Sequence, residues 1–286
     1  MTVLVLVLIG VLTGLSTVLF GFGGGFVTVP VIIWADATLG PAAGTVAVAT
    51  SALVMVVNAA VATAATPHPI LARLRSRGML LSLLATGGLL GALAALAVPA
   101  EVSSWGFVIY VAVTIIDMLA RPGFLRPTTS EPQTRARRAI PTTLGAPIGA
   151  VASFLGVGGS VMTVPLLRRA GLPMGQAAAL ANPLTLAISI PAAIVFLLAR
   201  HTNVHGAVFA VGIVDLGAAT LLLAGAIPVI VVLRRRPPRI PDRVHAWTYV
   251  GLLAVVGGGG GGGRGGPPRP GEPPTGPRAR ASAELE

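Results

Sequence analysis

The chain lacks cysteine and lysine and is poor in charged residues of any kind. Without cysteine it can form no disulfide, thiolate nucleophile or cysteine-ligated metal site. All 20 basic residues are arginine, and charged residues make up only 10% of the chain, against about 25% in soluble domains. Because 54% of the residues are hydrophobic and the mean hydropathy is +0.86, most of the length is predicted to lie in a membrane.

Two functional classes lose support from what is missing. The net charge of +11 does not indicate nucleic-acid binding, because the arginines lie between apolar runs and aromatic residues for base stacking amount to only 5%. An enzyme is also disfavoured, since the sequence contains no Gly-x-Ser-x-Gly, no His-Glu-x-x-His and no phosphate-binding P-loop. We therefore expect no catalytic residue, no cofactor and no bound metal.

A glycine-rich segment at residues 21–30 organises the first half of the chain. The apolar runs on either side of it, residues 3–20 and 26–34, are together too long for one crossing, which needs only about 20 apolar residues. Four glycines in five positions weaken a helix by roughly 1 kcal/mol each relative to alanine. The segment therefore predicts a broken helix whose free backbone groups must avoid lipid.

The same segment recurs 135 residues later, at residues 156–165. The constant offset predicts two halves built on one plan, each carrying a broken helix. The matching pairs are Gly21/Gly156, Gly23/Gly158, Gly24/Gly159, Thr28/Thr163, Val29/Val164, Pro30/Pro165, Gly40/Gly175, Ala42/Ala177 and Thr50/Thr185.

The remaining apolar runs predict an all-α polytopic membrane protein. We expect spans at residues 42–65, 78–98 and 103–119 in the first half. In the second half we expect a broken element at 139–167, then spans at 175–199, interrupted by Pro183 and Pro191, at 206–233 and from 244 to 256. This division gives a first repeat at 1–120, a cytoplasmic linker at 121–138, a second repeat at 139–256 and a disordered Gly/Pro/Arg tail at 257–286.

The arginine clusters distinguish two topologies. If each glycine element is a re-entrant hairpin, 15 of the 20 arginines fall on one face, whereas eight simple spans would divide the clusters between both faces. The positive-inside rule favours the hairpins, with the basic loops in the cytoplasm and both termini outside. Each half is then one hairpin followed by three spans, and the two halves form inverted repeats.

The paired glycine motif, together with Ala49-Thr50-Ser51, Asn58 and His68, resembles the TauE/SafE family of sulfite exporters over roughly residues 1–256. The second half departs from the family pattern, with Leu186 beside Thr185. The resemblance implies a plasma-membrane permease for small sulfur-containing anions such as sulfite or sulfonates, with export the expected direction.

A small oxyanion inside a membrane needs hydrogen-bond donors and positive potential, and helices that restart at Phe26 and Val161 would supply both from their N-termini. Glycine allows the backbone to approach the ligand closely, and neighbouring side chains add polar groups. The predicted substrate-binding residues are Gly23, Gly24, Gly25, Thr28, Thr50, Ser51, Asn58, Gly158, Gly159, Ser160, Thr163, Asn182 and Thr185. Asp215, within an apolar run, is the candidate for binding a coupling ion.

Each assignment has a structural alternative. The glycines could serve close helix packing, Thr28 and Thr163 could bond the carbonyls of their own helices, and Asn58 and Thr50 could join neighbouring helices. Asp215 could cap a helix or pair with an arginine at the membrane edge. For the whole protein, an anion channel and a non-transporting scaffold are the alternatives to a secondary transporter. The expected partners are a small anion and the bilayer, and the sequence leaves a homo-oligomer open.

Overall fold

A computed structural model describes residues 2–35, 43–125, 140–199 and 210–259, which are almost entirely helical. The first half contains α1 (Thr2–Phe20), α2 (Gly25–Ala35), α3 (Ala43–Ala64), α4 (His68–Leu71), α5 (Gly78–Ala97) and α6 (Ala100–Ala120). The second contains α7 (Gly145–Phe154), α8 (Ser160–Arg169), α9 (Met174–Leu198), α10 (Leu216–Arg235) and α11 (Asp242–Gly259). Short 3-10 turns at Ala72–Leu74 and Thr142–Leu144 precede α5 and α7. The strands β1 (Ala210–Val211) and β2 (Val214–Asp215) pair antiparallel before α10.

Six of the described helices are long and apolar enough to cross a membrane, namely α1, α3, α5, α6, α9 and α10. Large apolar side chains such as Ile109 and Ile116 of α6 stay exposed on the outside of the bundle, as expected for a surface that faces lipid. The prediction of an all-α polytopic membrane protein is confirmed. The last predicted span, α11, is not among the six.

Two predicted boundaries were wrong. Pro183 and Pro191 do not interrupt α9, which is continuous across both, because a helix inside a bundle tolerates proline where its surroundings satisfy the freed carbonyl. Helix α11 continues through Gly259, so the first three residues of the predicted tail are helical. A Cβ on Gly257 would lie 2.7 Å from the side chain of Val111, so glycine there allows α11 to approach α6 closely. Residues 260–286 lie outside the described part of the chain.

The first glycine element is a re-entrant hairpin. Leu6 and Ala47, near the starts of α1 and α3, belong to one apolar cluster, whereas Val18 and Ala62, near their ends, belong to another. Helices α1 and α3 therefore run in the same direction, which requires the chain to turn back between them. Ile32, late in α2, lies in the cluster of Leu6, so α2 returns toward the side where α1 began.

The second glycine element returns in the same way. Ile140, which precedes α7, and Leu167, near the end of α8, line one small cavity together with Leu80 at the start of α5. The beginning of α7 and the end of α8 therefore lie on the same face. Arg73 and Arg77 line this cavity as well, and Arg77 donates a hydrogen bond to the carbonyl of Ile140 at 2.9 Å. The basic loop before α5 consequently shares that face.

The first helix of each hairpin packs against the opposite half. Gly10 of α1 lies against the backbone of Leu222 in α10, and Gly149 of α7 lies against the backbone of Leu84 in α5. Helices α3 and α9, which follow the two hairpins, pack against each other. Because α5 and α10 hold the same place in their halves, exchanging the halves maps one contact onto the other. These matched contacts support the inverted repeat, which remains a prediction.

A buried arginine anchors the second hairpin. Arg168, at the end of α8, is fully buried, and its Nε and Nη2 donate to the carbonyl of Phe124 at 3.2 and 2.8 Å. Its Nη1 donates to the carbonyl of Leu172 at 3.2 Å and to Asp242 Oδ2 at 2.7 Å. Asp242 Oδ1 also accepts from the amide of Met174 at 2.6 Å. One ion pair thus joins α8 to the starts of α9 and α11 and to the segment after α6.

Replacing this arginine tests how strongly the hairpin depends on it. We expect Arg168→Met to lower the free energy of unfolding by about 3 kcal/mol, because buried acceptors lose their charged donor. Arg121→Ala is the control, since its pair with Asp117 at 3.2 Å involves an arginine side chain that is 74% exposed. That change should cost less than about 1 kcal/mol. Thermal unfolding in detergent measures both, and equal effects would contradict the anchoring role.

Candidate functional site

Both glycine segments break their helices, as predicted. Helix α1 ends at Phe20 and α2 begins at Gly25, while α7 ends at Phe154 and α8 begins at Ser160. Within the gaps, matched glycines adopt left-handed backbone conformations that other residues rarely take, with φ of 62° at Gly23 and 73° at Gly158. The repeat in sequence is therefore also a repeat in backbone conformation at Gly21/Gly156 and Gly23/Gly158. It is not one at the next pair, where φ is 101° at Gly24 and −74° at Gly159.

The two glycine loops touch each other. A Cβ placed on Gly25 would lie 2.6 Å from the carbonyl oxygen of Gly156, and one on Gly158 would lie 3.3 Å from the carbonyl oxygen of Phe22. The Ser51 hydroxyl of α3 lies within hydrogen-bond distance of two carbonyls, that of Val48 at 2.8 Å and that of Gly156 at 3.1 Å. Loops 135 residues apart in the sequence thus form one contact, and these residues are buried.

The loops leave matching backbone donors unused. No described residue accepts a hydrogen bond of ordinary length and angle from the amides of residues 23–26 or of residues 158–161. These are the donors that the start of a helix leaves without an intrahelical partner. The two sets correspond at the 135-residue offset, and the contact between the loops brings them close together. The site therefore offers backbone N–H groups and two helix N-termini to one small region.

Side chains around the loops also carry polar atoms without partners. A buried hydroxyl or amide that makes no hydrogen bond costs about 1–3 kcal/mol, so such atoms normally have a partner. Among the described residues, six side chains with no solvent exposure hold such atoms: Thr13 Oγ1, Asn58 Nδ2 and Oδ1, Ser160 Oγ, Thr163 Oγ1, Asn182 Oδ1 and Thr185 Oγ1. Buried atoms without a partner also occur elsewhere, at Thr63, Tyr110, Ser153, Arg169 and Arg234. The arrangement around the loops suits a small polar solute better than a packed core.

Other predicted site residues already have protein partners. Thr28 Oγ1 donates to the carbonyl of Gly24 at 2.9 Å, which is the local alternative for this residue. Thr50 Oγ1 accepts from the amide of Asp215 at 3.0 Å and so joins α3 to the start of α10. The hydroxyl of Thr163, the repeat mate of Thr28, makes no hydrogen bond to a described residue, so the two copies of this position are not equivalent.

Thr13 was not predicted as a site residue. A Cβ on Gly24 would collide with the Thr13 methyl group and would lie 2.9 Å from Asn58 Nδ2, so both polar side chains adjoin the first loop. At the matching Gly159, the nearest side chain is the apolar Ile188. Polar side chains therefore surround Gly24 in the first half but not its repeat mate Gly159 in the second. The signal in the sequence was the cluster of Thr13, Ser16 and Thr17 in an otherwise apolar helix.

The apolar run around Asp215 predicted that this residue lies inside a span, and that prediction was wrong. It precedes α10, and its carboxylate accepts from the amide of Ala218 at 3.0 Å as an N-cap. The predicted span at 206–233 begins later because β2 occupies residues 214–215, while residues 200–209 lie outside the described part of the chain. The cap accounts for the acid at this position, and the coupling role stays a prediction.

The chain resembles one known protein family along most of its length. The family model described as sulfite exporter TauE/SafE matches residues 6–259. The chain belongs to the TauE/SafE family. The match includes both glycine loops and all the predicted site residues, so the resemblance inferred from the motifs is confirmed. Neither a curated protein nor a solved structure matches the chain. As a TauE/SafE protein, the chain is a multi-pass membrane protein of a sulfite exporter family.

The first loop should tolerate no side chain at Gly24. We expect Gly24→Ala to lower the free energy of unfolding by about 3 kcal/mol, because φ is 101° there and the new methyl group would meet the side chain of Thr13. Gly175→Ala is the matched control, since a Cβ there has no neighbour within 4 Å. It should leave stability unchanged or raise it by up to about 1 kcal/mol. Similar melting temperatures for the two variants would contradict this description of the loop.

Proposed function

We propose that this TauE/SafE protein is a secondary transporter that exports small sulfur-containing anions, such as sulfite or sulfonates, by alternating access around the two broken helices. The observation that supports the proposal is the set of backbone and side-chain donors at the touching loops that have no acceptor in the protein. The family match supports the coarser part, a membrane exporter of such anions.

Neutral donors suit a solute that must be released as well as bound. A formal positive charge buried in a membrane is costly and would hold an anion strongly. Backbone N–H groups and helix N-termini stabilise an oxyanion without a charge to bury. The hydroxyls of Ser160, Thr163 and Thr185 add donors that can rotate toward whichever oxygen is present. No basic side chain has to enter the site for an anion to bind there.

The site is closed to solvent, as a carrier that works by alternating access requires in part of its cycle. The side chains of Thr13, Asn58, Thr163 and Thr185 are all inaccessible to solvent, so no continuous aqueous path reaches them in this conformation. An open anion channel would need such a path, whereas alternating access requires states in which the site is shut. A scaffold without transport would have no use for so many buried donors without partners.

The face that carries Arg73, Arg77 and Arg168 is proposed to be cytoplasmic. The positive-inside rule assigns basic loops to that side, and the packing of these segments places them together. Both termini then lie outside, and the plasma membrane is the proposed location.

The binding proposal is tested with a panel of anions. We expect at least one of sulfite, sulfate, sulfonates, phosphonates and carboxylates to raise the melting temperature of the purified protein, because a ligand that binds only the folded state stabilises it. If none does so in folded protein, the proposed substrate class is wrong. Counterflow in proteoliposomes then separates a carrier from a channel.

Thr163 and its repeat mate Thr28 give a matched pair of variants. Thr163→Val should raise the stability of the anion-free protein by up to about 1 kcal/mol, since it removes a buried hydroxyl without a partner. The same change should weaken anion binding by about tenfold, the equivalent of one hydrogen bond.

Thr28→Val should change stability in the opposite direction. It breaks the bond to the Gly24 carbonyl and should cost about 1 kcal/mol of stability, with a smaller effect on anion binding. Titration of each variant with the best anion, followed by thermal shift, measures both quantities. If Thr163→Val binds the anion as tightly as the unmodified protein, its hydroxyl is not a ligand.

Asp215 is tested with two substitutions. Asp215→Ala should lower the free energy of unfolding by about 1 kcal/mol, because the amide of Ala218 loses its acceptor, whereas Asp215→Asn should keep the cap. Transport with unchanged ion dependence in Asp215→Asn would contradict the coupling role. Loss of ion dependence at unchanged stability would support it.

A further inference from the structure

One apolar side chain occupies the place where the two glycine loops meet. Met55 of α3 is only 2% exposed and touches both loops. A Cβ on Gly25 would collide with its sulfur and lie 3.0 Å from its terminal methyl group, and a Cβ on Gly158 would lie 3.0 Å from the sulfur. A Cβ on Gly23 would lie 3.5 Å from Met55 Cγ. The thioether therefore lies between the two sets of unused amides.

Met55 covers these donors without satisfying them. A thioether sulfur is only a weak hydrogen-bond acceptor, so the amides of residues 23–26 and 158–161 gain little from the contact. An oxyanion would be a far stronger partner for the same N–H groups. Methionine is also unbranched and has three rotatable side-chain bonds, so it can leave this position without a shift of the backbone.

The second half of the chain offers no equivalent side chain. The residue that matches Met55 at the 135-residue offset is Ile190, which is 43% exposed on the outside of the bundle. A side chain that served only to fill the symmetric contact would need a counterpart from α9, yet α9 contributes Thr185 at that point. The side chains that meet both loops are thus Met55 from the first half and the shorter Thr185 from the second, and of the two only Met55 is long and flexible.

We propose that Met55 limits the size of the anion that this site accepts. An anion that bonds the loop amides must take the place of the thioether, and a larger organic group requires the side chain to retreat further. The inference rests on the proposed function, because it assigns a role to Met55 within the same anion site. It identifies a specificity-determining residue that packs against the organic part of the substrate and donates no hydrogen bond.

The test uses sulfonates that share one head group and differ in size, namely methanesulfonate, propanesulfonate and benzenesulfonate, with sulfite as the reference that has no organic group. The dissociation constant of each is measured by titration of purified protein. For the unmodified protein we expect weaker binding as the organic group grows. Met55→Ala should lower the ratio of the propanesulfonate to the methanesulfonate constant by about tenfold or more, since a methylene group in an apolar pocket changes affinity by roughly that factor.

Three further variants complete the design. Met55→Leu has a similar volume and should keep the order of the unmodified protein. Met55→Val removes less volume than Met55→Ala does. It should shift the ratio in the same direction by about threefold, which is about half of the alanine effect on a free-energy scale. This variant keeps the test available if Met55→Ala does not fold. Ile190→Ala, at the repeat-related position outside the bundle, should leave the ratio unchanged.

The outcomes separate this inference from the proposal on which it rests. If the unmodified protein binds no anion of the series, the proposed function fails and this inference fails with it. If the protein binds these anions but both smaller variants at Met55 keep its size order, the site stands and the role of Met55 is overturned. A ratio that falls equally in Ile190→Ala would also overturn it, because the change would then reflect general loosening.

Discussion

Backbone amides without acceptors cannot lie against lipid, and the enclosure of these groups governs the arrangement of the whole protein. Each broken helix creates such amides in the middle of the bundle. The two loops solve the problem jointly, since each is covered by the other and by α3 and α9. The enclosure also concentrates the donors of both loops in one place. The same constraint that shapes the fold therefore leaves free N–H groups and helix N-termini at the proposed anion site.

The hairpins require close contacts between helices of opposite halves. Because α1 and α3 run in the same direction, α2 must fit beside them and return within the bundle. Glycines at the contacts of α1 with α10 and of α5 with α7 let the backbones approach, as is common between membrane helices. On the basic face, the pair of Arg168 and Asp242 holds the end of the second hairpin against three other segments.

The repeat is not symmetric where chemistry is concerned. Gly24 adjoins the polar side chains of Thr13 and Asn58, whereas Gly159 lies against Ile188. Met55 enters the space between the loops from one half only. The two loops match in sequence but thus have different surroundings.

The broken helices, their repeat and most of the spans followed from the sequence, because glycine spacing and apolar run length depend on local chemistry alone. The glycine motifs also indicated the correct family. The sequence could not place Thr13 or Met55 beside the loops. The polar cluster around Thr13 stands out in an apolar helix but does not show what it faces, and Met55 does not differ locally from ordinary membrane helix. Only the packing of α1 and α3 against the loops places them there. The cap at Asp215 and the ion pair of Arg168 likewise depend on partners distant in the chain or on where a helix begins, and tertiary structure alone determines both.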